Sequence, residues 1–267
     1  MPRFFPDVEQ RSLEWHVLRA GIPTCSEAKN VCTSGGAKHD KPKLSESSYL
    51  NLKLAEWALS RPILPPDYKI DHMEFGTQME PEARKAFTFQ TGIELEVMGF
   101  VTDDAGTFGC SPDSLFHNRR GSLEIKCPML QTHIGYLLDP QSLIEEYWVQ
   151  LHAQWWVLFG PPAADAGPAP ASMVMSYSPE LPSVIFPFVP DEKYLTAFAR
   201  IATDFSALLD AGKEKLREYG LPKPAPEGWA KGKVDLEEAF RSREFMPGET
   251  AESISDMVMA QAREKRQ

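Results

Sequence analysis

Residues 111–128 read SPDSLFHNRRGSLEIKCP, and this stretch decides the fold around which the other elements are arranged. Apolar residues lie on both sides of the turn material HNRRG, which predicts two strands joined across a turn at about 117–121. Asp113 and Glu124 stand on opposite sides of that turn, so paired strands would bring them together. Because side chains alternate along a strand, Glu124 and Lys126 share one face. The opposite face is apolar and carries Leu123, Ile125 and Cys127.

This charged strand face indicates a site for a cation. A glutamate and a lysine on the inner face of a sheet are costly to remove from water unless they bind an ion or a reacting group. Two carboxylates and a backbone carbonyl provide hard oxygen ligands, which suit Mg²⁺ that also binds water and a substrate phosphate. Such an ion promotes in-line hydrolysis, and Lys126 adds positive charge beside it. Taken alone the pattern is weak, because chance and surface ion pairing explain most isolated matches.

The elements around this hairpin predict an α/β fold. Apolar spacing and flanking Pro or Gly residues indicate helices at about 9–19, 47–60, 74–91, 141–159 and 191–218. Thr24 or Ser26 is a candidate N-cap for a further short helix. After Gly92 the pattern has period two, which we interpret as an antiparallel β-meander, and MVMSYS and SVIFPFV predict two more strands. Helix 141–159 is the most apolar, so we expect it to be buried against a sheet layered with helices.

Composition limits the class of protein. The chain has 267 residues and a formal net charge of −10, which argues against a protein that coats nucleic acid nonspecifically, because neutralising phosphate needs clustered basic residues. Local basic surface is available at Lys38, Lys41 and Lys43 and at Arg119–Arg120, although ordinary solvated charge explains these residues equally well. The four cysteines form no C-x-x-C pair, which favours free thiols over a zinc site or a disulfide framework.

Loops and ends bear on domain organisation. We assign residues 1–220 to one domain and 221–267 to a C-terminal extension, in which 234–243 and 248–265 are candidate helices. The extension is either an arm for assembly or partner contact or a mobile end. The stretch PPAADAGPAPA at 161–171 is predicted to be a surface loop. The chain has no apolar run of membrane-spanning length and no secretion signal, so we expect a cytoplasmic protein.

Five motifs in order carry a resemblance to a known family. They are EWHVLRAGIPTCSEA, FGTQMEPEARKAF, GCSPDSL, LEIKCP and YWVQLHAQWW, which together span about residues 14–157. In this set and order the chain resembles the phage lambda exonuclease family, also called the YqaJ-like viral recombinase nucleases. The resemblance implies a restriction-endonuclease-like core, in which a mixed central sheet is flanked by helices.

The resemblance also implies an activity and its partners. Members of this family digest one strand of linear double-stranded DNA from a 5′-phosphorylated end and leave 3′ single-stranded overhangs for recombination. The resemblance implies Mg²⁺ as cofactor, with Mn²⁺ as a possible substitute, a single-strand annealing protein as partner and a ring-shaped homotrimer. The same metal core serves structure-selective endonucleases, so an endonuclease is one alternative, and an inactive module that binds DNA ends is another.

The catalytic centre is implied residue by residue. Asp113, Glu124 and the carbonyl of Ile125 fall on the family's metal ligands, and Lys126 falls on its catalytic lysine. Glu80 falls on a helix carboxylate that assists catalysis through water. The alternative for Glu80 is an ion pair with a residue one turn further along its helix, Arg84.

Further positions are implied around this centre. Gln150 matches a glutamine near the site, although a buried polar side chain satisfied by its neighbours is an equal alternative. Arg19 and Ser26 fall on the segment that binds the terminal 5′ phosphate, and Ser111 lies beside it in the SPD turn. Asp103 matches a further acidic position whose role the resemblance leaves open.

Overall fold

The computed structural model describes residues 1–36, 38–63, 70–160 and 170–225, with only the helical backbone described for 70–77. Its helices are α1 (Leu13–Arg19), a 3-10 helix (Cys25–Asn30), α2 (Tyr49–Leu59), α3 (Ile70–Thr91), α4 (Leu130–Leu138), α5 (Pro140–Glu146), α6 (Trp148–Phe159) and α7 (Glu192–Arg217). Its strands are β1 (Arg3–Phe5), β2 (Leu95–Glu96), β3 (Phe100–Thr102), β4 (Gly109–Cys110), β5 (Ser114–Phe116), β6 (Gly121–Lys126), β7 (Ala171–Ser176) and β8 (Val184–Phe188).

The larger sheet is mixed, which confirms the predicted fold class. It has five strands in the order β2-β5-β6-β7-β8. Strands β6 and β7 run parallel, whereas the other neighbours in this sheet run antiparallel. Strand β6 therefore lies at the centre of the sheet, and its side chains on both faces are covered by other elements.

The prediction of a single meander after Gly92 is wrong. Strands β3 and β4 leave the larger sheet and pair with β1 in a separate antiparallel sheet of order β1-β3-β4. Val101 lies opposite both Phe4 and Cys110 in this small sheet. The period-two pattern identified the strands correctly, but it carries no information about their partners, and β3 finds its partner at the start of the chain.

The apolar face of β6 fixes the position of helix α3. Leu123 and Ile125 pack in one buried cluster with Ala83 and Phe87 of α3, and Cys127 lies partly buried against it. The face predicted to be apolar is therefore a core face. Its burial leaves the alternate residues of β6 to face the other side of the sheet, where the charged residues lie.

The predicted helix 141–159 is two helices, α5 and α6, separated at Tyr147, whose backbone leaves helical geometry at φ −102° and ψ 16°. Helix α6 is buried as expected. Leu151 and Trp155 pack with residues of β7 and β8, whereas Ala153 and Val157 belong to the core beneath the small sheet. Helix α6 thus lies between the two sheets and carries its polar residues into the interior.

The last described helix matches its prediction. Helix α7 begins after Asp191, whose carboxylate accepts a hydrogen bond of 2.8 Å from the backbone nitrogen of Tyr194. The predictions for the loop at 161–169, the two tail segments and most of the C-terminal extension fall outside the described residues. Within the described part of the chain, no helix combines the length and apolar character needed to cross a membrane.

Candidate active site

Asp113 and Glu124 come together as the hairpin predicts. Ser114 of β5 lies opposite Leu123 of β6, so Asp113 falls at the end of the paired region beside Glu124. The Oδ2 atom of Asp113 accepts a hydrogen bond of 2.6 Å from the backbone nitrogen of Ile125. This bond holds the Asp113 carboxylate against the main chain of β6, next to the peptide whose carbonyl is a predicted metal ligand.

Glu124, Lys126 and Gln150 form one hydrogen-bonded group. The Nζ atom of Lys126 donates to Oε1 of Glu124 over 2.6 Å and to Oε1 of Gln150 over 3.4 Å. The Nε2 atom of Gln150 donates to the same Glu124 oxygen over 2.6 Å. Helix α6 therefore brings Gln150, which is partly buried, to the charged face of β6, where Glu124 and Lys126 satisfy its amide.

The second oxygen of the Glu124 carboxylate takes no part in these hydrogen bonds. Glu124 is 4% exposed, and its buried Oε2 atom has no hydrogen-bond partner among the described residues. A buried anionic oxygen without a partner carries a large desolvation cost. The charge of Glu124 acts on the Asp113 carboxyl, so a single cation bound by both residues would compensate both groups.

Charges within this group shift the ionisation of its members. Burial, and then the charge of Glu124, raises the pKa of the Asp113 carboxyl well above its usual range. Burial alone would lower the pKa of Lys126, but the carboxylates of Glu124 and Asp113 outweigh it and raise that pKa. Lys126 is therefore the cationic member of the site.

The donor set matches Mg²⁺ better than a metal bound by many protein ligands. In the described ranges, no three His, Cys, Asp or Glu side chains are grouped so that they could hold a metal ion by themselves. Asp113, Glu124 and the carbonyl of Ile125 offer three oxygens, and Mg²⁺ completes its octahedron with water and substrate phosphate. The residues present therefore fit this ion.

Tyr147 is a member of the site that the sequence analysis missed. The Nζ atom of Lys126 lies 4.3 Å from the centre of its ring, within the range of a cation–π contact. Tyr147 precedes Gln150 by three positions, so the interruption between α5 and α6 places both residues against Lys126. The spacing of three residues between Tyr147 and Gln150 indicates that both lie on one side of a helix, but the contact of Tyr147 with Lys126 depends on tertiary packing.

Glu80 occupies a separate side of the site. Its Oε2 atom lies 3.4 Å from Nη1 of Arg84, as the alternative predicted, and its Oε1 atom lies 3.7 Å from Nη2 of Arg11. Arg84 also donates from Nη1 to the carbonyl oxygen of Asp113 over 3.3 Å. These residues line a cleft of about 370 Å³ next to Asp113. Glu80 thus borders the site without joining the hydrogen bonds of Glu124 and Lys126.

Arg19, Ser26 and Ser111 converge as expected. Arg19 donates to the hydroxyl oxygens of Ser111, Thr24 and Ser26 over 3.2, 3.2 and 3.3 Å. Its guanidinium lies 3.9 Å from the ring centre of Trp15, whose Nε1 donates to Ser111 over 2.8 Å. The role of Trp15 in fixing this cluster was missed, because an isolated tryptophan is more often a core residue.

This hydroxyl and arginine cluster adjoins the carboxylates. Ser111 and Asp113 are two positions apart in the same turn, so the turn that carries a carboxylate also carries a hydroxyl of the Arg19 cluster. Ser26 is exposed, which keeps the cluster open to solvent. A guanidinium with neighbouring hydroxyls is a suitable binding group for a phosphate.

Asp103 lies outside this arrangement and has a structural role. Its Oδ1 atom accepts hydrogen bonds from the backbone nitrogens of Thr107 and Phe108 over 2.6 and 2.9 Å. Its Oδ2 atom accepts one from the hydroxyl of Thr107 over 2.7 Å. Both oxygens of Asp103 therefore accept hydrogen bonds within the turn that joins β3 to β4. This explains the acidic residue at a position whose role the resemblance left open.

The candidate basic surface is only partly available. Lys38, Lys41 and Lys43 are exposed. By contrast, Arg119 forms two hydrogen bonds with the carboxylate of Glu96, which compensates its charge. The four cysteines are free thiols, as predicted.

Comparison with known proteins agrees with this fold. Residues 14–166 match the model of the YqaJ-like viral recombinase domain. No curated protein matches the chain. Among solved structures, the alkaline exonuclease LHK-Exo from Laribacter hongkongensis has 23% identity and a TM-score of 0.60, covering 78% of this chain and 97% of its own. Its complex with dAMP gives 24% identity, the same TM-score and the same coverage.

A phage-related exonuclease from Haemophilus somnus is similar at a TM-score of 0.52 and 10% identity, covering 74% of this chain and 96% of its own. At these identities the solved structures establish a shared fold. The family match rests on the sequence itself and includes every predicted site residue, from Arg19 to Gln150. Because that match covers more than half of the chain, the protein belongs to the family of YqaJ-like viral recombinase domains.

Proposed function

We propose that the protein is a Mg²⁺-dependent 5′-to-3′ exonuclease that digests one strand of linear double-stranded DNA and leaves 3′ single-stranded overhangs. The observation that carries this proposal is the buried Oε2 atom of Glu124, which has no hydrogen-bond partner among the described residues, while Oε1 of the same carboxylate contacts Lys126. Membership of a viral recombinase family and a fold shared with an alkaline exonuclease support a nuclease acting on DNA.

Asp113, Glu124 and the carbonyl of Ile125 would hold the metal ion. When bound, Mg²⁺ supplies positive charge to the phosphate and lowers the pKa of water for in-line attack. Lys126 provides a second positive charge beside the reacting phosphate, and Gln150 holds it in place through Oε1. Mn²⁺ suits the same oxygen ligands.

Arg19, Ser26 and Ser111 would bind the terminal 5′ phosphate. The guanidinium and the two hydroxyls already point at one another across 3.2–3.3 Å, so they form a preorganised group that a phosphate can join. The dAMP complex of LHK-Exo indicates that a similar fold accepts a nucleoside monophosphate. A phosphate held at this cluster, next to the turn of Asp113, would place the first phosphodiester near the carboxylates and so set the polarity.

The product of this reaction suits recombination by single-strand annealing. An exposed 3′ overhang is the substrate of an annealing protein, which we propose as the partner. A ring of three chains around the duplex would retain the DNA between cleavage steps. Sedimentation of the full chain in solution tests the homotrimer directly, and a monomer at micromolar concentration contradicts it.

A time course on linear duplex labelled at the 5′ or the 3′ end tests the activity. With Mg²⁺, we expect early release of the 5′ label as mononucleotide while the 3′ label stays on long strands, and no release in EDTA. Early release of the 3′ label contradicts the polarity.

Closed circular duplex is the control that separates the alternatives. A nicked circle would indicate a structure-selective endonuclease that uses the same carboxylates. Binding of DNA ends without cleavage in either Mg²⁺ or Mn²⁺ would indicate an inactive end-binding module. The presence of Asp113, Glu124 and Lys126 in one hydrogen-bonded site argues against that module.

A further inference from the structure

The side chain of Arg84 joins helix α3 to the turn of Asp113. The Nη1 atom of Arg84 lies 3.4 Å from Oε2 of Glu80 and 3.3 Å from the carbonyl oxygen of Asp113. The side chains of Arg84 and Glu80 are 20% and 21% exposed, so the ion pair is largely shielded from water. Asp113 is therefore held twice, by its carboxylate to β6 and by its carbonyl to α3.

The position of Arg84 on α3 is fixed by packing. Ala83 and Phe87 are fully buried against the apolar face of β6, and Arg84 follows Ala83 directly. Because residues four apart lie on the same side of a helix, Glu80 and Arg84 share a side of α3 that points toward the site. The helix therefore presents a carboxylate and a guanidinium to Asp113 on a rigid support.

We propose that Arg84 is a positioning residue that fixes Glu80 relative to Asp113 and thereby strengthens metal binding at the Asp113 and Glu124 site. The inference rests on the proposed function, because that function supplies the metal. Arg84 contacts neither of the two carboxylates that would bind the ion. It contacts the main-chain carbonyl of Asp113 and the carboxylate of Glu80.

Arg84 and Arg11 both contact the Glu80 carboxylate, one at each oxygen. Without Arg84, Glu80 would retain the contact of 3.7 Å with Arg11 and would turn toward it. The cleft of about 370 Å³ beside Glu80 provides the room for that movement.

An arginine suits this position better than a lysine. The N–H groups of a guanidinium are fixed in one plane, so Nη1 sets the angle between its two acceptors as well as their distance. A lysine would supply the charge but would rotate freely about its last bond. Arg84→Lys therefore separates the effect of charge from the effect of geometry.

Binding of Mn²⁺ to the full chain without DNA tests the inference. The free ion is measured by its electron paramagnetic resonance signal for the wild type, Arg84→Met, Arg84→Lys and Lys85→Met. Lys85 is the matched control, because it is the next residue on α3, is exposed and carries the same charge. Supporting side chains around metal sites typically change affinity by about 10- to 100-fold. We expect about 10-fold weaker binding for Arg84→Met, an intermediate value for Arg84→Lys and no change for Lys85→Met.

Affinity of Arg84→Met within about twofold of the wild type overturns the inference, and so does equal weakening by Lys85→Met, which would assign the effect to a general disturbance of α3. Thermal unfolding in EDTA establishes that each variant is folded. Cleavage by Arg84→Met should recover when Mg²⁺ is raised about 10-fold, and failure of that rescue in a folded variant also contradicts the inference. A wild type that binds Mn²⁺ but does not cut DNA refutes the proposed function and leaves the comparison of affinities intact.

Discussion

Replacing Lys126 by methionine should destabilise the metal-free protein. The lysine lies 2.6 Å from Glu124, and the two side chains are 18% and 5% exposed. Removing one partner of a buried ion pair costs about 3–5 kcal/mol. Because Lys126 is partly exposed, we expect about 2–3 kcal/mol, with Gln150 left as the donor to Glu124. For a domain of this size that loss lowers the melting temperature by about 4–12 °C.

The double variant Lys126→Met/Glu124→Gln separates a lost charge pair from a general packing defect. Removing both charges eliminates the uncompensated carboxylate, so most of the stability should return. Urea unfolding at pH 7.5 in EDTA measures all three proteins, with Lys85→Met as an exposed control that changes stability by less than about 0.5 kcal/mol. The reasoning is refuted if Lys126→Met is as stable as the wild type, or if the double variant is as unstable as the single one.

Three further outcomes follow from the site and its surroundings. Lys126→Ala should abolish cleavage of linear duplex while sparing most DNA binding in a gel-shift titration, because its charge acts mainly as the reaction proceeds. Arg19→Ala should reduce the ratio of cleavage rates between 5′-phosphorylated and 5′-hydroxyl ends toward one. Burial lowers the pKa of His152 from 6.5 to about 4. The stability that its neutral side chain contributes to the fold is therefore complete above pH 6.5 and is lost as the pH falls toward 4. Between pH 7 and pH 5 that loss is about 2 kcal/mol, measured by urea unfolding as a smaller pH dependence in His152→Gln.

A different result would contradict each of these three predictions. Equal loss of cleavage and binding in Lys126→Ala would mean that the lysine mainly holds the DNA. An unchanged rate ratio in Arg19→Ala would remove the phosphate assignment. An unchanged pH dependence in His152→Gln would mean that His152 does not stay neutral, although its Nε2 atom accepts a hydrogen bond of 2.9 Å from the backbone nitrogen of Asp191.

The centre of the site could be predicted from local geometry. Side chains alternate strictly along a strand, so the spacing of Glu124 and Lys126 placed them on one face of β6 before any tertiary information was available. The hairpin turn then brought Asp113 to the same end of the sheet. The pair of Glu80 and Arg84 followed from helical spacing in the same way.

The remaining contacts depend on chain pairing that local patterns do not encode. The bond from Arg84 to the carbonyl of Asp113 joins residues 29 apart in two different elements. The contact of Tyr147 with Lys126 requires a helix interruption that no Pro or Gly marks. Likewise, strand β3 was visible in the sequence, but its pairing with Arg3–Phe5 joins segments about one hundred positions apart.

The most direct test of the account is cleavage of end-labelled linear duplex by wild type, Asp113→Ala and Lys85→Met, side by side with Mg²⁺. Asp113 is a predicted metal ligand held against β6, whereas Lys85 is an exposed residue outside the site. We predict release of the 5′ label by the wild type and by Lys85→Met, and no release by a folded Asp113→Ala. Full activity of Asp113→Ala would contradict the assignment of the catalytic centre.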